Sequence, residues 1–113
     1  MKIRIEREKD KLQYNAKIIW LKDATDPKTG LPRTDRFNPV FEKQYLPIVG
    51  LYYLKNFRYN AKKHSWNYGK IYDPAVGKEY EGILRLTDRN TLLIREYVYF
   101  SFLGANRTWK RIS

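Results

Sequence analysis

There is no cysteine anywhere in this chain of 113 residues. That absence excludes a disulfide framework, a cysteine-based zinc site and a thiol nucleophile together. Histidine is nearly absent as well. His64 stands alone beside Lys62, Lys63 and Ser65, with no third group to orient it as a base and no companions to hold a metal. It reads as a surface residue. Long apolar runs are also missing: LPIVGLYYL from Leu46 and VYFSFLGA from Val98 are far shorter than the roughly 20 residues of a membrane-spanning helix. The opening MKIRIEREKD is charged and has no apolar core of a signal peptide. Acidic residues are few, 12 against 23 basic, a formal charge of +11. Such a field attracts polyanions but does not define a fold. The basic residues are spread out, and at the start Lys2, Arg4, Arg7, Lys9 and Lys11 alternate with Glu6, Glu8 and Asp10.

What the chain has in excess is aromatic side chains: ten Tyr, three Trp and five Phe, 16% of the residues. Its length fits one domain, residues 1–113. The periodicity is that of strands. Ile3 and Ile5 alternate with Lys2, Arg4 and Glu6; Ala16, Ile18 and Trp20 share one face, Lys17 and Ile19 the other. Tyr80, Leu84 and Leu86 oppose Glu79, Glu81 and Arg85. Leu92, Ile94 and Val98 oppose Leu93, Arg95, Tyr97 and Tyr99, a strand apolar enough on both faces to be well covered, and RTWKRI forms a short last strand. Residues 49–60 read as strand or irregular structure. No segment shows the pattern of a long amphipathic helix. A connection of about 22 residues, KDATDPKTGLPRTDRFNPVFEK, carries three of the five prolines and is long enough to be functional or flexible. Short strands joined by Gly, Pro, Asn and Asp turns predict an all-β barrel or sandwich.

Candidate chemistry is sparse. Asp23, Asp26, Asp35, Asn38 and Asp73 offer oxygen ligands, but their DP, TG and NP contexts are turn chemistry, and no calcium-loop spacing occurs. Glu79 and Glu81, two apart on one strand face, read as a solvated pair. GKIYDPAVGKEYEG (69–82) contains glycines, but the residues after Gly77 have a strand pattern, so it lacks the helix start of a phosphate loop. It reads as a corner between a strand through Tyr72 and one from Glu79. The stretch 53–70 interleaves Lys55, Arg58, Lys62 and Lys63 with Phe57, Tyr59, Trp66 and Tyr68, the composition of a single-strand nucleic-acid binder. The NRT triplet at Asn106 is a glycosylation pattern, relevant only to a eukaryotic secretory route.

Several motifs in one order carry a more specific signal: IIWLKD, DPKTGLPRTDRFNP, LPIVGL, GKIYDPAVGKEYEGILRL, and LLIREY followed by FLGANRTWKRI. In these, from about Ile3 to Ile112, the chain resembles an uncharacterised family of small bacterial secreted domains (domain of unknown function 2147). The resemblance implies a small antiparallel up-and-down β-barrel of lipocalin-like (calycin) type, exported to the periplasm or beyond, with no established enzyme activity. Members usually begin with a signal peptide and a first strand containing Gly-x-Trp. Neither is present here, so the barrel is expected to be incompletely closed. Glu96 stands where Gly is common, and Leu46 where Arg is common.

The expectation from the whole sequence is a non-enzymatic carrier, without cofactor or metal, for a small hydrophobic or amphipathic molecule. Trp20, Tyr80, Leu84, Ile94 and Val98 are expected to point inward. Trp66, Tyr68, Tyr72, Arg95 and Trp109 are expected at the cavity wall or mouth. The competing reading is a basic barrel that binds single-stranded nucleic acid or another polyanion through residues 53–70.

Overall fold

A computed structural model describes residues 1–9, 12–97 and 104–113. They form one antiparallel sheet of seven strands in sequence order: β1 (Lys2–Glu8), β2 (Gln13–Trp20), β3 (Tyr52–Asn60), β4 (Ser65–Asp73), β5 (Lys78–Asp88), β6 (Thr91–Tyr97) and β7 (Gly104–Lys110). Each strand pairs with its neighbours in the chain, and β1 and β7 are not paired with each other among the described residues. The sheet is a half-barrel, the incompletely closed all-β architecture that the sequence predicts. Residues 49–60 resolve into strand from Tyr52 onward.

The concave face holds the core. Ile3 pairs with Ile18, Leu54 with both Ala16 and Ile71, and Leu84 with Ile94, which keeps these side chains on one side of the sheet. Ala16, Ile18, Phe57, Ile71 and Ile94 are fully buried there, with Leu54 almost so. Each larger apolar side chain covered in this way stabilises the fold by about 1.5–3 kcal/mol. Gly69 is part of this packing: the Phe57 ring lies where a Cβ on residue 69 would be.

Bulges interrupt the alternation, three of them on β3 and β4. Between Ala16–Leu54 and Lys17–Tyr52 the partner strand gains Tyr53, so Tyr53 and Leu54 are successive yet both buried. Asn56, with φ 61°, is extra between Leu54 and Phe57, and its N–H donates to Asn15 Oδ1 at 2.8 Å. Tyr68, with φ 65°, is extra between Trp66 and Gly69.

The long connection from Leu21 to Leu51 is held by its own hydrogen bonds. Asp26 Oδ1 accepts from the Lys28 amide at 2.9 Å, and Gly30, at φ 71°, returns its N–H to the Asp26 carbonyl at 2.8 Å. Bridges at Thr25–Pro32 and Thr34–Pro47 and a 3₁₀ turn at Phe41–Lys43 complete it. Its anchor is Asp35, fully buried, which accepts from the Tyr72 hydroxyl at 2.8 and 2.9 Å and from Asn38 Nδ2 at 2.8 Å. Gly77, at φ 67°, closes the β4–β5 turn directly against the Phe37 carbonyl, where any Cβ would collide. The corner 69–82 thus joins two strands and also seats the long connection.

Candidate functional site

The concave face leaves an apolar hollow of about 130 Å³ lined by Ile5, Tyr14, Leu54, Trp66, Leu84, Leu86 and Leu92, with Asn15 at its rim. Trp66 from β4 is fixed by Tyr14, whose ring meets it edge-on at 6.0 Å, and by Tyr59 at 4.9 Å. The Trp66 indole nitrogen is buried without a hydrogen-bond acceptor among the described residues. Leu86 pairs with Leu92 and closes the β5–β6 side, yet is half exposed. The hollow is therefore bordered by two half-exposed side chains, Leu86 and, on the edge strand β1, Ile5. A second depression, about 490 Å³ between Leu12, Gln13, Arg58 and Tyr59, is shallow and open, and its wall mixes polar and apolar surface.

Further along the same face, β6 changes from apolar to charged. Leu92, Ile94 and Glu96 succeed one another at two-residue intervals, opposite Trp109, Arg107 and Ala105 on β7. Glu96 is buried; its Oε1 accepts from Arg107 Nε at 3.1 Å and from the Tyr53 hydroxyl at 3.4 Å. The charge of Glu96 pushes Arg107 above its ordinary value. Burial first, and then Glu96, pushes the Tyr53 phenol well above its own. Trp109 packs on Tyr53 with ring centres 5.5 Å apart, and its indole nitrogen is also buried without an acceptor among the described residues. The end of the concave face is thus a polar cluster whose one carboxylate is already satisfied.

The structure brings some of the expected residues together and separates others. Trp66 and Leu84 line the hollow. Ile94 is fully buried on the same face, Tyr80 joins it opposite Ile71, and Trp109 sits beside the polar cluster. Trp20 does not point inward. A bulge at Ile19 turns it to the outer face opposite Lys2, where it is 44% exposed under the Lys2 ammonium at 4.8 Å. Tyr68 occupies a bulge and is 81% exposed, away from any wall. Tyr72 is buried on the convex side, beneath Asp35. Arg95 pairs with Ile83 on that side too and donates to Asn106 Oδ1 at 3.3 Å. Arg107, opposite Ile94 on β7, is the arginine on the concave face. Val98 lies outside the described residues.

Tyr53 and Arg107 are the site residues that sequence reasoning missed. Tyr53 was hidden by the bulge that sets it beside Leu54. Arg107 would have been found by placing Trp109 inward and stepping back two residues. The stretch 53–70 is the β3–β4 hairpin, and its aromatics are divided: Phe57 is fully buried and Trp66 lines the hollow, while Tyr59 and Tyr68 are exposed. Lys55 and Lys70 pair with Glu79 and Glu81 at 3.3 and 2.9 Å. His64 lies exposed in the turn, at φ 51°. Among the described residues no three His, Cys, Asp or Glu side chains gather as a metal site, and no helix is long and apolar enough to cross a membrane.

Comparison with solved structures gives a match to protein HP1028 from the human pathogen Helicobacter pylori, described as belonging to the lipocalin family. The TM-score is 0.66 and the identity 18%, over 98% of this chain and 80% of that one. At this identity the likeness is one of fold: the sheet is lipocalin-like. No match was found among the curated proteins. The family model described as "Uncharacterized protein conserved in bacteria (DUF2147)" matches residues 1–111, and the chain belongs to that family.

Proposed function

We propose that this chain is a non-enzymatic binding protein, exported to the periplasm or beyond, that holds the apolar part of a small amphipathic molecule on its concave face. The observation that carries the reading is the hollow itself: about 130 Å³, walled by Ile5, Leu54, Trp66, Leu84, Leu86 and Leu92, on the face where lipocalin-like sheets are concave. Ligand pockets are usually larger, roughly 300–1,000 Å³. A hollow near 150 Å³ accommodates something of about the size of benzene. The fitting cargo is therefore a molecule that inserts one ring or a short acyl segment and leaves its polar part at the half-exposed border.

Native mass spectrometry of the purified protein, with identification of any small molecule carried along, tests for a natural cargo. Titration with decanol or decanoate, monitored by tryptophan fluorescence, tests the location. The expected result is a saturable change that disappears in Trp66→Phe and survives in Trp20→Phe. Absence of a response in the unmodified protein to any amphiphile, together with a clean ligand-free mass, would sink the proposal.

A further inference from the structure

β1 is an edge strand that pairs with β2 on one side and with no described residue on the other. On alternate positions its sequence, KIRIERE, is antisymmetric in charge about Ile5: Lys2 and Arg4 come before it, Glu6 and Glu8 after it, while Arg7, on the other face, mirrors Ile3. The strand alternation puts these four on the convex face, where Lys2 lies opposite Trp20 and Arg4 opposite Lys17. Within the chain this arrangement is only partly matched: Lys2 lies over the Trp20 ring. Arg4 faces the like charge of Lys17, which opposes pairing. Among the described residues no salt bridge includes any of the four, and one Glu6 carboxylate oxygen is buried without a hydrogen bond. On the concave side Ile5 is 55% exposed at the edge, although it lines the hollow. An uncovered strand edge carrying an exposed isoleucine is the feature that soluble β-proteins otherwise blunt.

We propose that β1 is the contact surface between two copies of this chain, paired antiparallel about a two-fold axis through Ile5, so that two open sheets continue into one. The charge pattern sets the register. For concave faces to meet concave faces, the opposed residue numbers must add to an even sum. Pairing about Ile5 sets Lys2 of one copy against Glu8 of the other and Arg4 against Glu6, each twice, with the two Ile5 side chains meeting over the hollows. Moving by one step of this kind in either direction sets Arg4 on Arg4 or Glu6 on Glu6. One register is attractive, and its neighbours are repulsive at their centres. β7, the other edge, has no such pattern: its charges are Arg107 and Lys110, with no acid, so its self-pairing brings like charges together. The exposed surface of 8435 Å² exceeds by about a quarter the roughly 6,600 Å² expected of a closed monomer of 13.7 kDa.

The test is sedimentation or light scattering on the 113-residue chain over a range of concentrations. A dimer is expected at about 0.05 M salt, with an association constant at least tenfold lower at about 0.5 M as the ion pairs are screened. Two double variants make the test specific. Lys2→Glu/Arg4→Glu has an all-acidic face and Glu6→Lys/Glu8→Lys an all-basic one; each alone is expected to be monomeric with an unchanged circular dichroism spectrum. Mixed in equal amounts they are expected to form a heterodimer, and the quadruple variant, in which the pattern is inverted, a homodimer. A monomeric unmodified chain at low salt would overturn the proposal. So would a dimer that survives in either double variant, or a mixture of folded double variants that stays monomeric while the quadruple variant also fails to associate.

Discussion

The Tyr72 hydroxyl donates to both oxygens of Asp35, and the Tyr53 hydroxyl to Glu96. Burial leads, and then a neighbouring carboxylate, in holding both phenols well above their ordinary value of about 10. Below pH about 10 each tyrosine is protonated in folded and unfolded chains alike, so neither makes stability depend on pH there. Above it the unfolded chain releases protons that the folded chain retains. The unfolded state then binds fewer protons, and stability falls as pH rises toward the raised folded values. Each tyrosine can contribute up to about 1.4 kcal/mol per pH unit to that slope. Urea unfolding between about pH 9 and 11 should show the decline, and Tyr53→Phe/Tyr72→Phe should flatten it; an equally steep fall in the double variant would remove the tyrosines from the explanation. At neutral pH, Tyr72→Phe alone should cost about 1–3 kcal/mol, because Asp35 keeps its burial and loses its hydroxyl donor. Gly77→Ala should destabilise the same junction from its other side. It combines a left-handed φ of 67° with a Cβ aimed at the Phe37 carbonyl, and a loss of more than about 1 kcal/mol is expected in urea unfolding.

Strands read well from this sequence where alternation runs unbroken, and fail where a bulge inserts one residue. Tyr80, Leu84 and Ile94 lie on regular ladders, and their inward direction comes from period two. Trp20 has the right parity with Ile18, but the bulge at Ile19 reverses it. Nothing in IIWLKD announces that insertion, because a bulge is fixed by what the partner strand offers and not by local propensity. The same holds for Tyr68, a bulky residue in a left-handed conformation that local preference would assign to glycine or asparagine. The polar cluster was barely legible: Glu96 stands out only as an acid where the family commonly has Gly, and its partners on β3 and β7 are 43 and 11 residues away. The bulge itself can be tested with Tyr68→Gly. The side chain is 81% exposed and makes no buried contact to lose, while glycine relieves the positive φ. A gain of about 1 kcal/mol in unfolding free energy is expected; a loss would mean that the exposed ring contributes more than its conformation costs.

At the scale of the molecule the open half-barrel sets both the size and the access of the hollow. The radius of gyration is 14.8 Å, against about 13 Å for a compact chain of this length, as expected when a sheet curls without closing. Packing of Phe57, Ile71 and Ile94 fills most of the interior, so the hollow is the space left between Trp66 and the β5–β6 hairpin. That geometry distinguishes a binding hollow from a packing defect. Leu86 lines it yet is 53% exposed, so Leu86→Phe adds volume without displacing a buried group. If the hollow is only a defect, filling it should stabilise the protein and change nothing else. If it holds cargo, amphiphile binding should weaken at least tenfold as well. Binding to the folded state raises stability by RT ln(1 + [L]/Kd), about 2.7 kcal/mol at a hundred times Kd, and a tenfold loss of affinity removes about 1.4 kcal/mol of it. Thermal unfolding of both proteins with and without decanol reads the two effects separately. The expected pattern is an equal or higher melting temperature for Leu86→Phe alone and a smaller ligand-induced rise. An undiminished rise would place the bound amphiphile elsewhere on the sheet.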